Sequence, residues 1–95
     1  MRLQENERRF RKANDALELA TKRMGARGEI PFLCECSDGG CLETVLLAPE
    51  DYHGLRGVPN RFVVVPGHQT PGVDVVVGEL AGYTLVEKER AESAA

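Results

Sequence analysis

The chain has 95 residues, of which 42% are hydrophobic, and its net charge is −3. This length suits one small domain and excludes a protein with two separate cores. Residues 1–28 contain eight basic and four acidic side chains, whereas residues 29–95 contain four basic and eleven acidic ones. We call residues 29–95 the body of the protein. Its net negative charge repels the phosphate backbone, so the body is a poor surface for nucleic acid.

The first residues, MRLQENERRF, are polar and charged, and no apolar segment follows them directly. This pattern predicts that no signal peptide is present. No apolar run approaches the roughly 18 residues that a membrane span needs, so a membrane partner is not expected. We therefore expect a cytoplasmic location, where thiols stay reduced and bind metals more often than they form disulfides.

Residues 5–24 predict one amphipathic helix, because Leu3, Phe10, Leu17 and Met24 recur every seven residues. Glycines at 25 and 28 end the helical pattern. Two arrangements stay open for this helix. It can lie on the sheet of the body, or it can pair with the same helix of a second copy.

A basic cluster lies in the first half of this helix. Its members are a candidate binding surface: Arg8, Arg9, Arg11 and Lys12. More often, such a cluster is only the solvent-exposed charged face of a helix and binds nothing. A protein partner or self-association is expected more than nucleic acid, which is the weaker alternative.

The body switches to a period of two and to β-branched residues, which indicates strands. The predicted elements are strands at 30–36 and 41–47, a short helix from Pro49, a strand at 61–65, a rigid loop at 66–72 and a hairpin of 73–80 with 83–88. The fold class is therefore α+β: an N-terminal amphipathic helix, then a small antiparallel sheet of two hairpins plus one strand, with a short helix. We divide the chain into a basic helix at 1–28, a β-rich metal-binding domain at 29–90 and a disordered tail at 91–95.

All three cysteines lie in the segment CECSDGGC, at the tip of the first predicted hairpin. Cys34 and Cys36 are two residues apart, so on a strand both side chains leave from the same face. The turn between them and Cys41 brings the third thiol back beside the other two. Zinc prefers four Cys or His ligands, so this zinc-ribbon-like hairpin needs one more.

Two histidines compete for the fourth position. His68 lies in a Pro-Gly-His loop held between Pro66 and Pro71, and a stiff loop loses little entropy when it binds a metal. His53 lies within the short helix, where an exposed histidine needs no explanation. We favour His68, which gives a Cys3His site for zinc or, as the alternative, another transition metal.

Other interpretations of the cysteines stay open. Three small apolar side chains in a buried hairpin, or a redox-active pair, fit the same spacing. An open three-thiolate site is a weaker possibility, in which Glu35 or Glu43 would serve as base, although Glu35 is expected to point away from the ion. The chain lacks a P-loop, a dinucleotide fingerprint and a GxSxG motif, so we assign no catalytic residues.

The run FLCECSDGGCLETVLLAPEDYHGLRGVPNRFVVVPGH, with the later YTLVEK, resembles a group of small uncharacterised actinobacterial proteins that share a Cys-x-Cys, Cys and Pro-Gly-His zinc-binding pattern. The likeness covers most of residues 6–88 and matches at Cys34, Cys36, Cys41, Tyr52, Arg56, Phe62, Gly67 and His68. The chain departs from the pattern at Asp51 and His53. The resemblance implies a bacterial source and implies that the cysteines and His68 occur as a set.

These observations predict a small cytoplasmic zinc-binding protein that acts as a non-catalytic binding or regulatory module. The alternative is a thiol redox sensor or a thiol-dependent enzyme that uses Cys34, Cys36 and Cys41.

Overall fold

The structure, a computed structural model, describes residues 2–25, 27–38 and 40–88, with side chains from residue 8 onward. Along these residues the elements are α1 (Arg2–Met24), β1 (Ile30–Leu33), β2 (Thr44–Leu47), α2 (Pro49–Leu55), β3 (Arg61–Val64), β4 (Asp74–Leu80) and β5 (Tyr83–Lys88). The predicted α+β class is confirmed. The tail predicted to be disordered, at 91–95, lies outside the described residues. In the described part of the chain no helix combines the length and the apolar character needed to cross a bilayer.

The strands form two antiparallel sheets rather than one continuous sheet. Strands β1 and β2 make the first hairpin, and β3, β5 and β4 lie side by side in that order in the second sheet. Strand β1 ends at Leu33, earlier than the predicted end at Cys36. The physical reason is that the backbone hydrogen bonds of the chain pass from one sheet to the other at this point.

The segment after Leu33 passes from one sheet to the other. The amide N–H of Cys34 still donates to the Glu43 carbonyl of the first hairpin at 3.0 Å, whereas the N–H of Glu35 donates to the Val63 carbonyl of β3 at 2.8 Å. The three cysteines therefore lie at the junction of the two sheets, where side chains from both can meet.

Helix α1 packs on β1 and α2, as the first of the two predicted arrangements requires. Its buried face differs from the predicted apolar stripe. Met24, a member of that stripe, is 80% exposed, whereas Asn14 is fully buried, and Arg11 and Thr21 are nearly so. Leu17 does pack against the core, as the pattern predicts.

Two of the buried polar side chains of α1, Asn14 and Arg11, bond to backbone groups of the residues that follow the helix. The Asn14 side chain accepts the Leu33 N–H at 2.8 Å and donates to the Leu33 carbonyl at 2.9 Å. The Arg11 guanidinium donates to the carbonyls of Pro59 and Arg61 and lies over the Phe62 ring, 3.9 Å from its centre. Buried polar groups that are paired in this way cost little to bury.

Helix α2 and the second hairpin form as predicted. Pro49 occupies the first turn of α2 with Glu50 and Asp51, where a missing N–H and negative charges are both favourable. The turn between β4 and β5 contains Gly82, whose φ of 94° favours glycine. A β-bulge lies between Val76 and Gly78 in β4.

The core consists of two adjoining clusters. The larger has the Phe32 and Tyr52 rings stacked with their centres 4.6 Å apart, and its buried members are Phe32, Val45, Leu47, Tyr52, Leu55 and Val63. The smaller joins Cys34 and Cys36 to Val64 of β3 and Val86 of β5. The candidate site is thus built into the core rather than attached to its surface.

Candidate metal centre

The structure brings the three cysteines and His68 together, as the sequence predicts. Their ligand atoms all lie within 4.8 Å of one another. Nδ1 of His68 is 3.6 Å from the Cys34 sulfur and 3.7 Å from the Cys41 sulfur. A tetrahedral zinc ion, with sulfur at about 2.3 Å and nitrogen at about 2.0 Å, separates those two kinds of ligand by about 3.5 Å. The observed separations are close to that value.

The turn after Cys36 closes the hairpin tip. The Asp38 carboxylate accepts the Gly40 N–H at 2.9 Å, and the Asp38 carbonyl accepts the Cys41 N–H at 3.1 Å. An aspartate side chain that bonds to a following backbone N–H is a common turn device. The turn returns Cys41 to the other two thiols.

The loop that carries His68 is fixed at both ends. The His68 N–H donates to the Val65 carbonyl at 2.9 Å, and Gly67 before it has a φ of 93° that favours glycine. Farther on, the Thr70 N–H donates to the Asp74 carboxylate at 2.8 Å. The hydroxyls of Thr70 and Ser37, 2.6 Å apart, connect this loop to the cysteine turn.

Burial governs the chemistry of the thiols. It raises the pKa of Cys34 well above its ordinary value, while the Val65 N–H, 3.2 Å from the sulfur, acts in the opposite direction. Burial also raises the pKa of Cys36. Neutral thiols are therefore favoured without a cation, and a bound divalent ion supplies the charge that stabilises thiolates.

One side of the cluster is open. A cleft of about 220 Å³ reaches it, lined by Cys36, Ser37, Asp38, His68 and Thr70. Cys41 is half-buried, whereas Cys34 and Cys36 are buried. An ion or a small oxidant can reach the sulfurs from this side.

His53, the competing histidine, lies away from the cluster on α2. Its side chain is 72% exposed, and its Nδ1 lies 3.1 Å from a carboxylate oxygen of Glu18 on α1. The arrangement favours His68 over His53, as the loop context predicts.

The predicted basic surface is smaller than the sequence indicates. Arg8, Arg9 and Lys12 are exposed. Arg11 is only 9% exposed and faces the body, where burial lowers its pKa. It is a structural contact of α1, so it does not belong to an exposed binding surface.

Glu35 points away from the thiols, as the strand alternation predicts, but it is fully buried, which the sequence did not indicate. Its carboxylate accepts hydrogen bonds from Tyr52, Asn14 and the Val63 N–H. Burial raises the pKa of Glu35, and these bonds oppose the shift. The only signal in the sequence was that this carboxylate lies between two cysteines, in a segment predicted to be a strand with one buried face.

No family model, curated protein or solved structure matches this chain. The resemblance to small actinobacterial proteins therefore stays a prediction. What the fold and the site define is a small α+β protein with a Cys3His cluster at the junction of two sheets.

Proposed function

We propose that this chain is a zinc-binding protein in which Cys34, Cys36, Cys41 and His68 hold a structural ion. The observation that carries the proposal is the convergence of three sulfurs and one imidazole nitrogen within 4.8 Å, from two segments far apart in sequence. Apolar side chains would fill this part of the core as well as three cysteines and a histidine do, so packing alone does not account for the grouping.

The donor set favours zinc among the common metals. Thiolates and imidazole suit zinc, whereas calcium and magnesium prefer oxygen ligands. Three thiolates and one imidazole also complete a tetrahedron, which leaves no position for water or substrate. We therefore assign the ion a structural role rather than a catalytic one.

The position of the site explains what the ion would stabilise. The cysteine turn extends from the β1–β2 hairpin, and His68 follows β3 of the other sheet. An ion bound by both segments would cross-link the two sheets. In a domain of this size, with a core of few large side chains, such a cross-link contributes substantially to folding.

The test is the metal content of untagged protein, measured by elemental analysis against protein concentration. We expect one zinc per chain, a full loss in His68→Ala and no loss in His53→Ala. His53→Ala is a matched control because it removes a histidine outside the cluster. A folded wild-type chain that neither carries zinc nor binds it on titration would overturn the proposal.

For the wider role, we propose a non-catalytic binding or regulatory module in a bacterial cytoplasm, with a protein partner or a second copy as its target. Two exposed surfaces support this: the basic side chains Arg8, Arg9 and Lys12 on α1, and the apolar side chains Val75, Val77 and Leu80 on β4. The mass in solution distinguishes self-association from a monomer that needs another partner.

A second candidate function is a thiol redox sensor. The open cleft and the half-buried Cys41 favour it, because an oxidant can reach a sulfur without unfolding the site. Thiol counting and zinc release after mild peroxide treatment test this. Thiols and zinc that both stay unchanged would remove the sensor and leave the structural role intact.

A further inference from the structure

We propose that Glu43 is a positioning residue of the metal centre, which holds the Nε2–H of His68 so that Nδ1 is the nitrogen that binds the ion. This inference rests on the proposed function. It names the binding atom of the imidazole and a carboxylate behind it, and neither follows from the four ligands alone.

The His68 ring has different neighbours on its two nitrogens. Nδ1 faces the sulfurs of Cys34 and Cys41 at 3.6 and 3.7 Å. Nε2 lies 3.2 Å from a carboxylate oxygen of Glu43. A neutral imidazole has one N–H and one lone pair, and a carboxylate accepts hydrogen bonds. With its proton on Nε2 the imidazole can donate toward Glu43, and Nδ1 then carries the lone pair on the side of the cluster.

Glu43 is held in place by the hairpin that presents the cysteines. Its carbonyl accepts the Cys34 N–H at 3.0 Å, and the next residue, Thr44, pairs with Leu33 in the β1–β2 register. The backbone of Glu43 thus holds Cys34, while its side chain contacts His68. Metal-binding histidines commonly donate their second N–H to such a carboxylate, which fixes the tautomer and the ring orientation.

A different explanation of the same contact is a surface ion pair between Glu43 and a protonated His68. A doubly protonated imidazole has no lone pair and cannot bind a metal. In protein that has been given the metal, the first explanation therefore predicts an Nδ1 bound to the ion, and the second predicts a protonated Nδ1.

The first experiment uses the full chain with isotope-labelled histidine, loaded with an NMR-active cadmium isotope as a zinc substitute. Long-range proton–nitrogen spectra should show His68 with a proton on Nε2 and a scalar coupling between cadmium and Nδ1. Coupling to Nε2, or no coupling to His68 in a protein that binds cadmium, would overturn the inference and leave a metal site in place. A wild-type chain that binds no metal would instead overturn the proposed function.

The second experiment measures zinc affinity by competition with a chelator. Removing an outer-shell partner typically weakens metal binding by 10- to 100-fold. Because the Glu43 side chain is 62% exposed, we expect the lower end, about tenfold, for Glu43→Ala. Glu43→Gln should recover most of this loss, since its amide oxygen still accepts the Nε2–H.

The control variant is Glu29→Ala, which removes another exposed carboxylate just before β1. It should bind zinc as the wild type does. Glu43→Ala with wild-type affinity, or Glu43→Gln as weak as Glu43→Ala, would overturn the positioning role.

Discussion

The Tyr52 hydroxyl donates a 2.7 Å hydrogen bond to the carboxylate of Glu35, a fully buried residue between two of the candidate metal ligands. The same carboxylate accepts the Asn14 side-chain N–H at 3.0 Å and the Val63 backbone N–H at 3.1 Å. The Glu35 side chain therefore connects α1, α2 and β3 next to the segment that carries Cys34 and Cys36. Asp15 of α1 and Arg56, the residue that follows α2, are paired at 2.8 Å beside this network.

Replacing the Glu35 carboxylate with an amide should destabilise the fold. All three observed partners donate to Glu35, so the amide N–H of Glu35→Gln would face another donor. Leaving buried donors unsatisfied costs about 1–3 kcal/mol, and we expect a loss in that range in urea unfolding. Glu29→Gln makes the same change at an exposed position before β1 and should stay within about 0.5 kcal/mol of wild type. Equal stability of the two variants would mean that the network contributes nothing.

The Asn14 side chain acts on β1 much as a neighbouring strand would, because it pairs both backbone groups of Leu33. Asn14→Leu keeps the side-chain size but leaves the N–H and carbonyl of Leu33 without these partners. We expect a destabilisation of about 2 kcal/mol and faster hydrogen exchange at the Leu33 amide. Lys12→Leu, at an exposed position of the same helix, is the control. Unchanged exchange at Leu33 in Asn14→Leu would contradict the pairing.

The sequence predicts most of the elements and the Cys3His cluster because both depend on local patterns. Alternation places Cys34 and Cys36 on one face, and the Pro-Gly-His loop distinguishes His68 from His53. The buried face of α1 does not follow from local pattern. Arg11 and Asn14 are buried because they bond to backbone groups 50 and 19 residues away, and hydropathy alone does not indicate such partners. The burial of Glu35 was missed for the same reason, since its donors come from three other elements.

The buried ion pair of Asp74 and Lys88 should be costly to break from one side. Their charged atoms are 2.8 Å apart, with side chains 0% and 4% exposed, and Asp74 also accepts the Thr70 N–H of the His68 loop. Removing one partner of a buried pair costs about 3–5 kcal/mol, so Asp74→Ala should be strongly destabilised in urea.

Two variants show whether the ion pair is the cause. The double variant Asp74→Leu/Lys88→Met should recover a large part of the loss, because both charges of the pair are then absent. Glu79→Ala removes an exposed carboxylate of the same strand and should have little effect. A double variant less stable than Asp74→Ala would show that packing, rather than charge, dominates at this site.

Zinc binding should weaken as the pH falls. Burial raises the pKa of Cys34 and Cys36, so in the metal-free chain both thiols are protonated at neutral pH, and binding must displace those protons. Each displaced proton changes the affinity by about tenfold per pH unit, so Cys34 and Cys36 alone contribute about 100-fold per pH unit. We therefore expect the zinc affinity, measured by competition with a chelator, to fall as the pH is lowered from 8 to 6. An affinity independent of pH over that range would exclude thiolate ligation.

Removing the metal should loosen the junction between the two sheets more than the rest of the fold. The ion would join the cysteine turn to the His68 loop, whereas the hydrogen bonds of Asn14 with Leu33 and the backbone pairing of β4 with β5 do not involve the ligands. With a chelator we expect a lower melting temperature and faster hydrogen exchange in residues 34–41 and 66–72 before other segments. His68→Ala should melt at the same temperature with or without the chelator, which shows that the effect acts through the site. A wild-type melting temperature that the chelator leaves unchanged, in protein shown to have lost its zinc, would mean that the ion is bound but does not support the fold.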